Sequence, residues 1–397
     1  AQAASSSMGT YSSLLAPSQH SLPWAMPSKE YESSYENEEE GQEDEQFDEP
    51  DLDDESSENP PPVPTVVGDQ FRIRREIGSG SYSEVYLGID KKSGEKVAVK
   101  IEWQKAEKTG KLLGEAKLYE MLGTGGRSPR VRWSGVQGEY NIMAMDLLGP
   151  SLDDLFRRCG RFSLKTVLML AEQVIDCLEY VHERGILYRD IKPHNFLMGL
   201  GEENHKVHIV DFGLAKRYRN DAGEHISCTK KRRSGVTGTV RYSSLNVHDG
   251  FDASRRDDLE AAGYVFLHFL RGDLPWLGLK AKCKRTKVEL IRRLKLCTSD
   301  LELCSGFPSE FVDFFQYCRN LPFAERPDYD YLRDLMRKVF TRHGFERDYE
   351  YDWDTREEAQ GARQRTRSGG SKKFERSRSN RSRSRQKGSH KSATHRR

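Results

Sequence analysis

The chain has 397 residues and a formal net charge of only +2, because 64 Lys and Arg side chains face 62 Asp and Glu side chains. A total this balanced predicts no nucleic-acid or membrane partner by itself. The seven cysteines show no CxxC spacing, which argues against a disulfide framework or a zinc site and indicates a reducing compartment, the cytoplasm, the nucleus or both. The longest apolar run, residues 261–270, is too short to span a bilayer, which takes about 20 residues.

The charges are distributed unevenly along the chain. Residues 1–68 are rich in Ser, Glu and Pro, and residues 356–397 are rich in Arg and Ser. Neither composition offers enough apolar side chains to offset the entropy that is lost on ordering, so we predict that both segments are disordered tails. We therefore expect one folded segment, residues 69–355, between an acidic extension and a basic Arg-Ser tail.

Hydrophobic periodicity predicts two lobes in the folded segment. Short β-rich runs bounded by turn residues predict strands at residues 71–77, 84–90, 96–102, 130–135 and 141–146. One helical pattern interrupts them at residues 111–122, and later helices are predicted at residues 167–184, 257–270, 287–294, 309–319 and 329–341. The predicted fold class is therefore α+β, with a small, mostly β N-lobe at residues 69–147 and a larger helical C-lobe at residues 148–355.

A glycine-rich stretch, residues 77–85, precedes the strand that carries Lys100. Glycines let a hairpin lie close over phosphate groups and donate backbone N–H groups to them. The stretch alone is weak evidence, because such hairpins are more often plain turns and Ser83 stands where a third glycine is usual. A buried Lys100 would need anionic partners, which ATP phosphates and Glu115 on the helix 111–122 would supply. A surface ion pair between Lys100 and Glu115 is the alternative.

A later stretch, residues 187–195, has the Asp-x-x-x-x-Asn spacing of a kinase catalytic loop. In it, Asp190 would accept the proton of a substrate hydroxyl, and Lys192 would offset charge on the transferring phosphoryl group. Asn195, together with Asp211 of an Asp-Phe-Gly triplet, would hold Mg²⁺. The order and spacing of these motifs, with the glycine-rich stretch and the lysine strand before them, predict phosphoryl transfer from ATP with Mg²⁺.

Several long and uncommon strings make the chain resemble the casein kinase 1 family. They are Asp-Leu-Leu-Gly-Pro-Ser-Leu at residues 146–152, Ser-Leu-Asn at residues 244–246 in place of the usual Ala-Pro-Glu, and the strings at residues 255–260, 274–280 and 344–353. The resemblance implies the bilobal protein kinase fold and a serine/threonine kinase. It implies a catalytic set of Asp190, Lys192, Lys100 and Glu115, with Asn195 and Asp211 at the metal.

The resemblance also implies a nucleotide site between the lobes. Met145 would lie beside the adenine as the gatekeeper, and the backbone of Asp146 and Leu148 would hydrogen-bond the base. The full set of nucleotide-binding residues would be Ile77, Gly78, Ser79, Gly80, Val85, Ala98, Lys100, Met145, Asp146, Leu148 and Leu197.

Three further positions follow from the same resemblance. Asp258, which begins a helix, would anchor the catalytic loop from beneath. Tyr188 and His194 depart from the family's usual residues. Neither position carries the chemistry, so we expect activity to survive both departures.

The family prefers Ser or Thr that follows an acidic or phosphorylated residue, which implies protein substrates of that kind. The matching anion pocket would consist of Arg241, Gly278, Lys284 and Lys287. Arg offers a bidentate fork for phosphate, Lys adds point charge, and Gly lets the backbone approach. Without the resemblance, a solvated basic loop would be the better interpretation of residues 280–287.

Two other classes of function remain as alternatives. One is a catalytically inactive kinase-like scaffold, which would lack an ATP or Mg²⁺ ligand, whereas all of them are present. The other is an RNA-associated protein whose Arg-Ser tail binds RNA or splicing-type partners by charge, an idea that stays open beside a merely solubilising tail. No Cys follows Cys318, so we expect no lipid anchor at the membrane, and we expect a monomer.

Overall fold

The computed structural model describes residues 60–80, 83–104, 111–124, 126–228 and 235–354. The Arg-Ser tail and most of the acidic extension, which are predicted to be disordered, lie outside these ranges. Within them the chain forms a β-rich N-lobe and a helical C-lobe. The predicted α+β bilobal fold is confirmed.

The N-lobe is one antiparallel sheet with a helix against it. The elements are β1 Val66–Val67, β2 Phe71–Ser79, β3 Glu84–Asp90, β4 Lys96–Trp103, α1 Lys111–Leu122, β5 Val131–Gln137 and β6 Tyr140–Asp146. The sheet order is β1-β2-β3-β4-β6-β5. The five strands and the helix predicted from the sequence all occur within a few residues of their expected bounds.

Strand β1 corrects the predicted start of the folded segment at residue 69. Val66 and Val67 pair with the start of β2, and Val67 is fully buried. The Gln137 side chain holds the turn that follows, because its Nε2 donates to Val66 O at 2.9 Å and its Oε1 accepts from Gly68 N at 3.0 Å. The proline-rich composition of the flanking residues concealed two adjacent valines, which are sufficient to add an edge strand.

The C-lobe is built mainly from helices. The five predicted helices are present, and the sequence missed α2 and the short α4 and α7. No helix in the described part of the chain has the length and apolarity needed to cross a membrane. The helices are α2 Leu152–Cys159, α3 Leu164–Glu183, α4 Leu245–His248, α5 Arg255–Arg271, α6 Lys284–Cys297, α7 Asp300–Leu303, α8 Glu310–Asn320 and α9 Tyr329–Arg342.

Helix α2 was missed because it is too short to show a clear apolar period. Its signal is a capping box instead: the Ser151 hydroxyl accepts from Asp154 N, and the Asp154 carboxylate accepts from Ser151 N. Four short strands complete the C-lobe, with β8 paired to β9 and β7 paired to β10. They are β7 Ile186–Leu187, β8 Phe196–Met198, β9 Val207–Ile209 and β10 Lys216–Arg217.

The alternation of side chains along β4 determines which of them reach the cleft. Val97, Val99 and Ile101 belong to a small apolar cluster on the outer face of the sheet. Ala98 belongs to the main core, which continues through α1 into the C-lobe helices. Because successive side chains on a strand point to opposite faces, Lys100 lies on the same inner face as Ala98, toward the C-lobe.

Candidate active site

Lys100 is the centre of an ion cluster that joins three elements. Its Nζ lies 2.8 Å from Glu115 Oε2 on α1 and 2.9 Å from Asp211 Oδ1 after β9. The Lys100 and Glu115 side chains are only 13% and 3% exposed, whereas Asp211 is 38% exposed. Burial alone would lower the pKa of Lys100, but the two carboxylates raise it above its ordinary value. The alternative of a surface ion pair is therefore wrong.

Helix α1 also holds the backbone of the Asp-Phe-Gly triplet. Glu115 Oε1 accepts from Phe212 N at 3.2 Å, and the Tyr119 hydroxyl oxygen accepts from Asp211 N at 3.0 Å. The Phe212 ring packs edge-on against Tyr119, with a centroid distance of 4.8 Å. Asp211 has a φ of 62°, a left-handed conformation that is uncommon for Asp. These contacts keep the Asp211 carboxylate beside Lys100, and burial of that carboxylate is outweighed by Lys100, so its pKa is lowered.

The catalytic loop brings the other predicted residues together. Asp190 is buried, and its Oδ2 lies 3.1 Å from Lys192 Nζ. Asn195 Nδ2 donates to Asp190 O at 3.1 Å and to Asp190 Oδ2 at 3.3 Å. The sequence spacing therefore corresponds to one compact group of a carboxylate, an amine and an amide.

Asp258, at the start of α5, lies beneath this loop as predicted. Its Oδ2 accepts from Tyr188 N and its Oδ1 accepts from Arg189 N, both at 2.8 Å. His182 Nε2 lies 2.9 Å from the same carboxylate, and His182 Nδ1 lies 2.8 Å from the Tyr329 hydroxyl. Arg189 has a φ of 69°, so the backbone bends sharply just before the catalytic aspartate, and Asp258 holds that bend.

Thr239 is a site residue that the sequence analysis missed. Its backbone N–H and its hydroxyl both donate to Asp190 Oδ1, at 3.0 and 2.8 Å. The preceding Gly238 has a φ of 83°, and a Cβ there would lie 2.3 Å from Arg189 O. The only sequence signal is this Gly-Thr pair, whose glycine is required for the close approach of two loops.

Tyr188 and His194, which depart from the usual residues of the casein kinase 1 pattern, lie outside the group of reacting residues. The Tyr188 hydroxyl donates to Val210 O at 2.5 Å inside the core, where burial raises its pKa well above the usual range. His194 is half exposed, and its Nδ1 lies 3.6 Å from Asp153 Oδ2 on α2. Tyr188 therefore ties the catalytic loop to the strand end before Asp211, and His194 faces α2.

A comparison with known families agrees with this geometry. The family model for the protein kinase domain matches residues 71–340, which include both lobes and every group described above. The chain belongs to the protein kinase family. Members of this family transfer a phosphoryl group from ATP with the help of Mg²⁺.

The predicted nucleotide residues of this kinase come from strands of both lobes. Val85 lies opposite Lys100 in the β3–β4 pair, and Ala98 lies opposite Met145 in the β4–β6 pair. Leu197 lies on β8 in the C-lobe, opposite His208 of β9. The strands thus distribute the predicted nucleotide residues over both lobes.

Two further parts of the predicted nucleotide site are the glycine-rich stretch at residues 77–85 and the segment at residues 146–148 that joins the lobes. Gly78 pairs with Val85 across the β2–β3 hairpin, while Ile77 and Ser79 are exposed. Gly80 N donates to Ser83 O at 2.8 Å, and residues 81–82 lie outside the described residues.

At the end of β6, Asp146 N donates to Arg130 O at 3.0 Å, so this N–H already has a partner within the N-lobe. The adenine contact predicted for the backbone of Asp146 would therefore use its carbonyl group. Leu148 follows two residues later, just beyond the end of β6.

The two predicted metal ligands of the kinase fit Mg²⁺ in their chemistry. Asp211 and Asn195 supply carboxylate and amide oxygens, the ligand atoms that Mg²⁺ prefers. In the described part of the chain, no group of three or more His, Cys, Asp and Glu side chains could hold a metal ion. Mg²⁺ usually binds one or two protein carboxylates, and phosphate oxygens and water complete its coordination. When bound, Mg²⁺ would neutralise charge on the phosphates.

The predicted anion pocket draws on three parts of the C-lobe. Arg241 lies in the segment before α4, and Trp276 Nε1 donates to its carbonyl oxygen at 2.9 Å. Gly278, two residues after Trp276, has a φ of 73° and open space around its Cα. Lys284 and Lys287 lie in the first turn of α6. The Trp276 hydrogen bond thus joins the segment of Arg241 to the loop of Gly278.

Proposed function

We propose that the protein is a serine/threonine kinase of the casein kinase 1 type. It transfers the γ-phosphoryl group of ATP to Ser or Thr in proteins, where an acidic or phosphorylated residue lies upstream of the acceptor. The observation that carries the kinase activity is the Lys100–Glu115–Asp211 ion cluster together with the Asp190–Lys192–Asn195 group. The two are joined through the backbone, because Val210 N, just before Asp211, donates to Asn195 O at 3.0 Å. Phosphoryl transfer depends mainly on positioning and charge stabilisation, and these residues supply both.

The arrangement gives each residue a role in the transfer. Asp190 takes the proton of the substrate hydroxyl, with its Oδ1 held by Thr239 and its Oδ2 beside Lys192 and Asn195. The hydroxyl oxygen forms the new bond to the γ-phosphorus, the bond from that phosphorus to the bridging oxygen breaks, and ADP leaves. Lys192 offsets the charge on the transferring group, and Lys100 holds the phosphates of ATP against the N-lobe.

The segment at residues 244–246 supports the casein kinase 1 type. Ser244 Oγ donates to Asp257 Oδ1 at 2.6 Å, and Asn246 Nδ2 donates to the same oxygen at 3.2 Å. Leu245 N donates to Glu260 Oε1 at 3.3 Å. Asp257 and Glu260 of α5 thus supply the carboxylates that hold this Ser-Leu-Asn segment. Other kinases carry Ala-Pro-Glu at this place in the chain.

The charge around α6 supports an acidic substrate. Residues 278–287 contain five Lys and Arg side chains and no Asp or Glu. Lys280, Lys282 and Arg285 are exposed, and Lys284 and Lys287 are half buried. A cluster of one sign attracts the opposite charge over several ångströms, most strongly at low salt.

The test is a set of matched peptides that share one sequence. The acceptor would be Ser, Thr or Tyr, and the upstream residues would be phosphoserine, Asp or Ala. We expect transfer to Ser and Thr only, with the highest kcat/KM for the phosphorylated peptide, and we expect Arg241→Ala to lower that preference. Efficient transfer to Tyr, or equal kcat/KM for the charged and neutral peptides, would refute the proposal. RNA binding by the Arg-Ser tail, the monomeric state and the compartment stay predictions.

A further inference from the structure

Residues 239–243 connect the catalytic aspartate to the proposed anion pocket. Thr239, at one end of the segment, donates twice to the Asp190 carboxylate. Arg241, two residues later, belongs to the proposed pocket. A shift of this backbone would therefore displace the arginine relative to the anion that it is proposed to bind.

A buried lysine holds this segment from within the C-lobe. Lys295, on α6, is only 1% exposed. Its Nζ donates to Ser243 O at 2.6 Å and to Val240 O at 3.2 Å. The same nitrogen lies 4.6 Å from the centroid of the Tyr264 ring and 4.8 Å from that of Trp276. Burial lowers the pKa of Lys295 well below its ordinary value, and the carbonyl oxygens and ring faces offset part of that cost.

The aromatic neighbour Trp276 reinforces the same segment. It donates from Nε1 to Arg241 O at 2.9 Å, so the carbonyl groups of residues 240, 241 and 243 all accept hydrogen bonds from the C-lobe interior. Helix α6 carries Lys284 and Lys287 in its first turn and Lys295 near its end. One rigid helix thus joins two lysines of the proposed pocket to the backbone that carries its arginine.

We propose that Lys295 is a positioning residue for acidic and phosphorylated substrates, which fixes the backbone of residues 240–243 so that Arg241 and the first turn of α6 meet the same anion. The proposal rests on the proposed function and deepens it. Lys295 acts through Arg241 and does not touch the substrate.

The first measurement is hydrogen exchange of the full-length protein. In Lys295→Met, the amides of residues 239–246 should exchange at least about tenfold faster than in the wild type, because two buried carbonyl groups lose their donor. The matched control is Arg333→Met, since Arg333 is also buried and its NH1 lies 2.6 Å from Glu179 Oε2 on α3. Arg333→Met should leave the exchange of residues 239–246 unchanged.

The second measurement is the kinetics of a phosphorylated peptide and its neutral counterpart. Lys295→Met should raise KM for the phosphorylated peptide about tenfold, with kcat and the KM for ATP within about twofold. The kcat/KM for the neutral peptide should change less than about twofold. Because Lys295 acts through Arg241, Lys295→Met should have no further effect in an Arg241→Ala background.

The outcomes separate the two proposals. If the wild type has no preference for the phosphorylated peptide, the proposed substrate class is wrong, whatever the exchange data show. If the preference exists but Lys295→Met leaves it intact, or if its effect adds fully to that of Arg241→Ala, the positioning role of Lys295 is refuted. Equal losses for both peptides would indicate a structural role only and would also refute it.

Discussion

The two lobes hold their parts of the active site in different ways. In the C-lobe, the catalytic loop rests on Asp258, which is 2% exposed and accepts two backbone hydrogen bonds beside His182. In the N-lobe, Lys100 is held by two ion pairs, and one of its partners, Asp211, is 38% exposed at the cleft. The C-lobe part of the active site is therefore held within the protein core. The N-lobe part is held by ion pairs, one of which involves a partly exposed carboxylate.

This difference indicates how stability and activity should separate. A buried carboxylate that accepts backbone N–H groups contributes to folding as well as to geometry, because its loss leaves buried donors without a partner. An ion cluster with one partly exposed carboxylate can lose a member at a smaller cost, because water at that carboxylate and a change of protonation compensate. Variants of Asp258 should thus lose stability and activity together, whereas variants of Lys100 should lose mainly activity.

The largest combined effect is expected for Asp258→Asn. The amide keeps one acceptor oxygen but presents an NH₂ group to the second backbone donor. We expect the free energy of unfolding to fall by about 3 kcal/mol and kcat to fall at least about 100-fold. Chemical denaturation and peptide phosphorylation check this. The control is Asp334→Asn, whose carboxylate is 56% exposed beside Arg337. An Asp258→Asn enzyme with normal stability and normal kcat would contradict the comparison.

Lys100→Met should lower activity strongly but stability only moderately. The phosphates lose their N-lobe cation, so we expect kcat/KM to fall at least about 100-fold. The loss of unfolding free energy should be smaller than in Asp258→Asn, because Asp211 is open to water and Glu115 still accepts from Phe212 N. Lys165→Met, which removes an exposed pair with Asp348, is the control for loss of a lysine. A Lys100→Met variant that melts as early as Asp258→Asn would show that both lobes depend on their clusters for folding.

A smaller effect is expected for the stability of the protein in acid, through a histidine in the C-lobe. His268 is buried beside the Tyr242 hydroxyl, 2.8 Å from its Nδ1, and burial, aided by Arg241, lowers its pKa to about 4. In the unfolded chain His268 takes up a proton near pH 6.5, whereas the folded protein keeps the ring neutral. The contribution to the free energy of unfolding is therefore fully present above pH 6.5 and is lost as the pH falls toward 4. Between pH 6.5 and 5 the protonation of His268 should lower the free energy of unfolding by about 1.6 kcal/mol.

Denaturation at several pH values checks the contribution of His268. In His268→Gln the slope of stability against pH should be flatter over this interval, because Gln does not titrate but still offers an acceptor to Tyr242. The matched control is His343→Gln at the exposed His343, which tests whether replacing any histidine by Gln changes the slope. Identical slopes for wild type and His268→Gln would show that the ring is not held neutral.

The smallest expected effect concerns phosphorylation of the kinase itself. Arg189 Nε donates to Leu214 O at 2.8 Å, so this arginine already has a backbone partner in the segment after the Asp-Phe-Gly triplet. Carboxylates of α5 hold the end of that segment without a phosphate. We therefore expect phosphatase treatment of the purified protein to change kcat/KM less than about twofold. Loss of activity after treatment, restored by incubation with ATP, would contradict this.

The sequence predicted some parts of this site much better than others. The reacting residues were predictable because spacing alone relates Asp190, Asn195 and Asp211. The N-lobe strands were predictable because side chains alternate between two faces. Lys295 was not, since α6 contains several lysines and nothing in their spacing tells which one the fold buries. Thr239 was missed because its role depends on a contact between distant loops.

The most direct test of the central claim compares wild type with Asp211→Asn in ATP-dependent phosphorylation of an acidic Ser peptide. Asp211 belongs to the ion cluster and directly follows Val210, whose N donates to Asn195 O in the catalytic loop at 3.0 Å. The partial exposure of Asp211 should let the variant fold. The account predicts that the wild type phosphorylates the peptide and that Asp211→Asn loses at least about 100-fold in kcat/KM, with a melting temperature close to that of the wild type. A variant that keeps its activity within about tenfold, which is about 1.4 kcal/mol of barrier, would contradict the assignment of this cleft as the kinase active site.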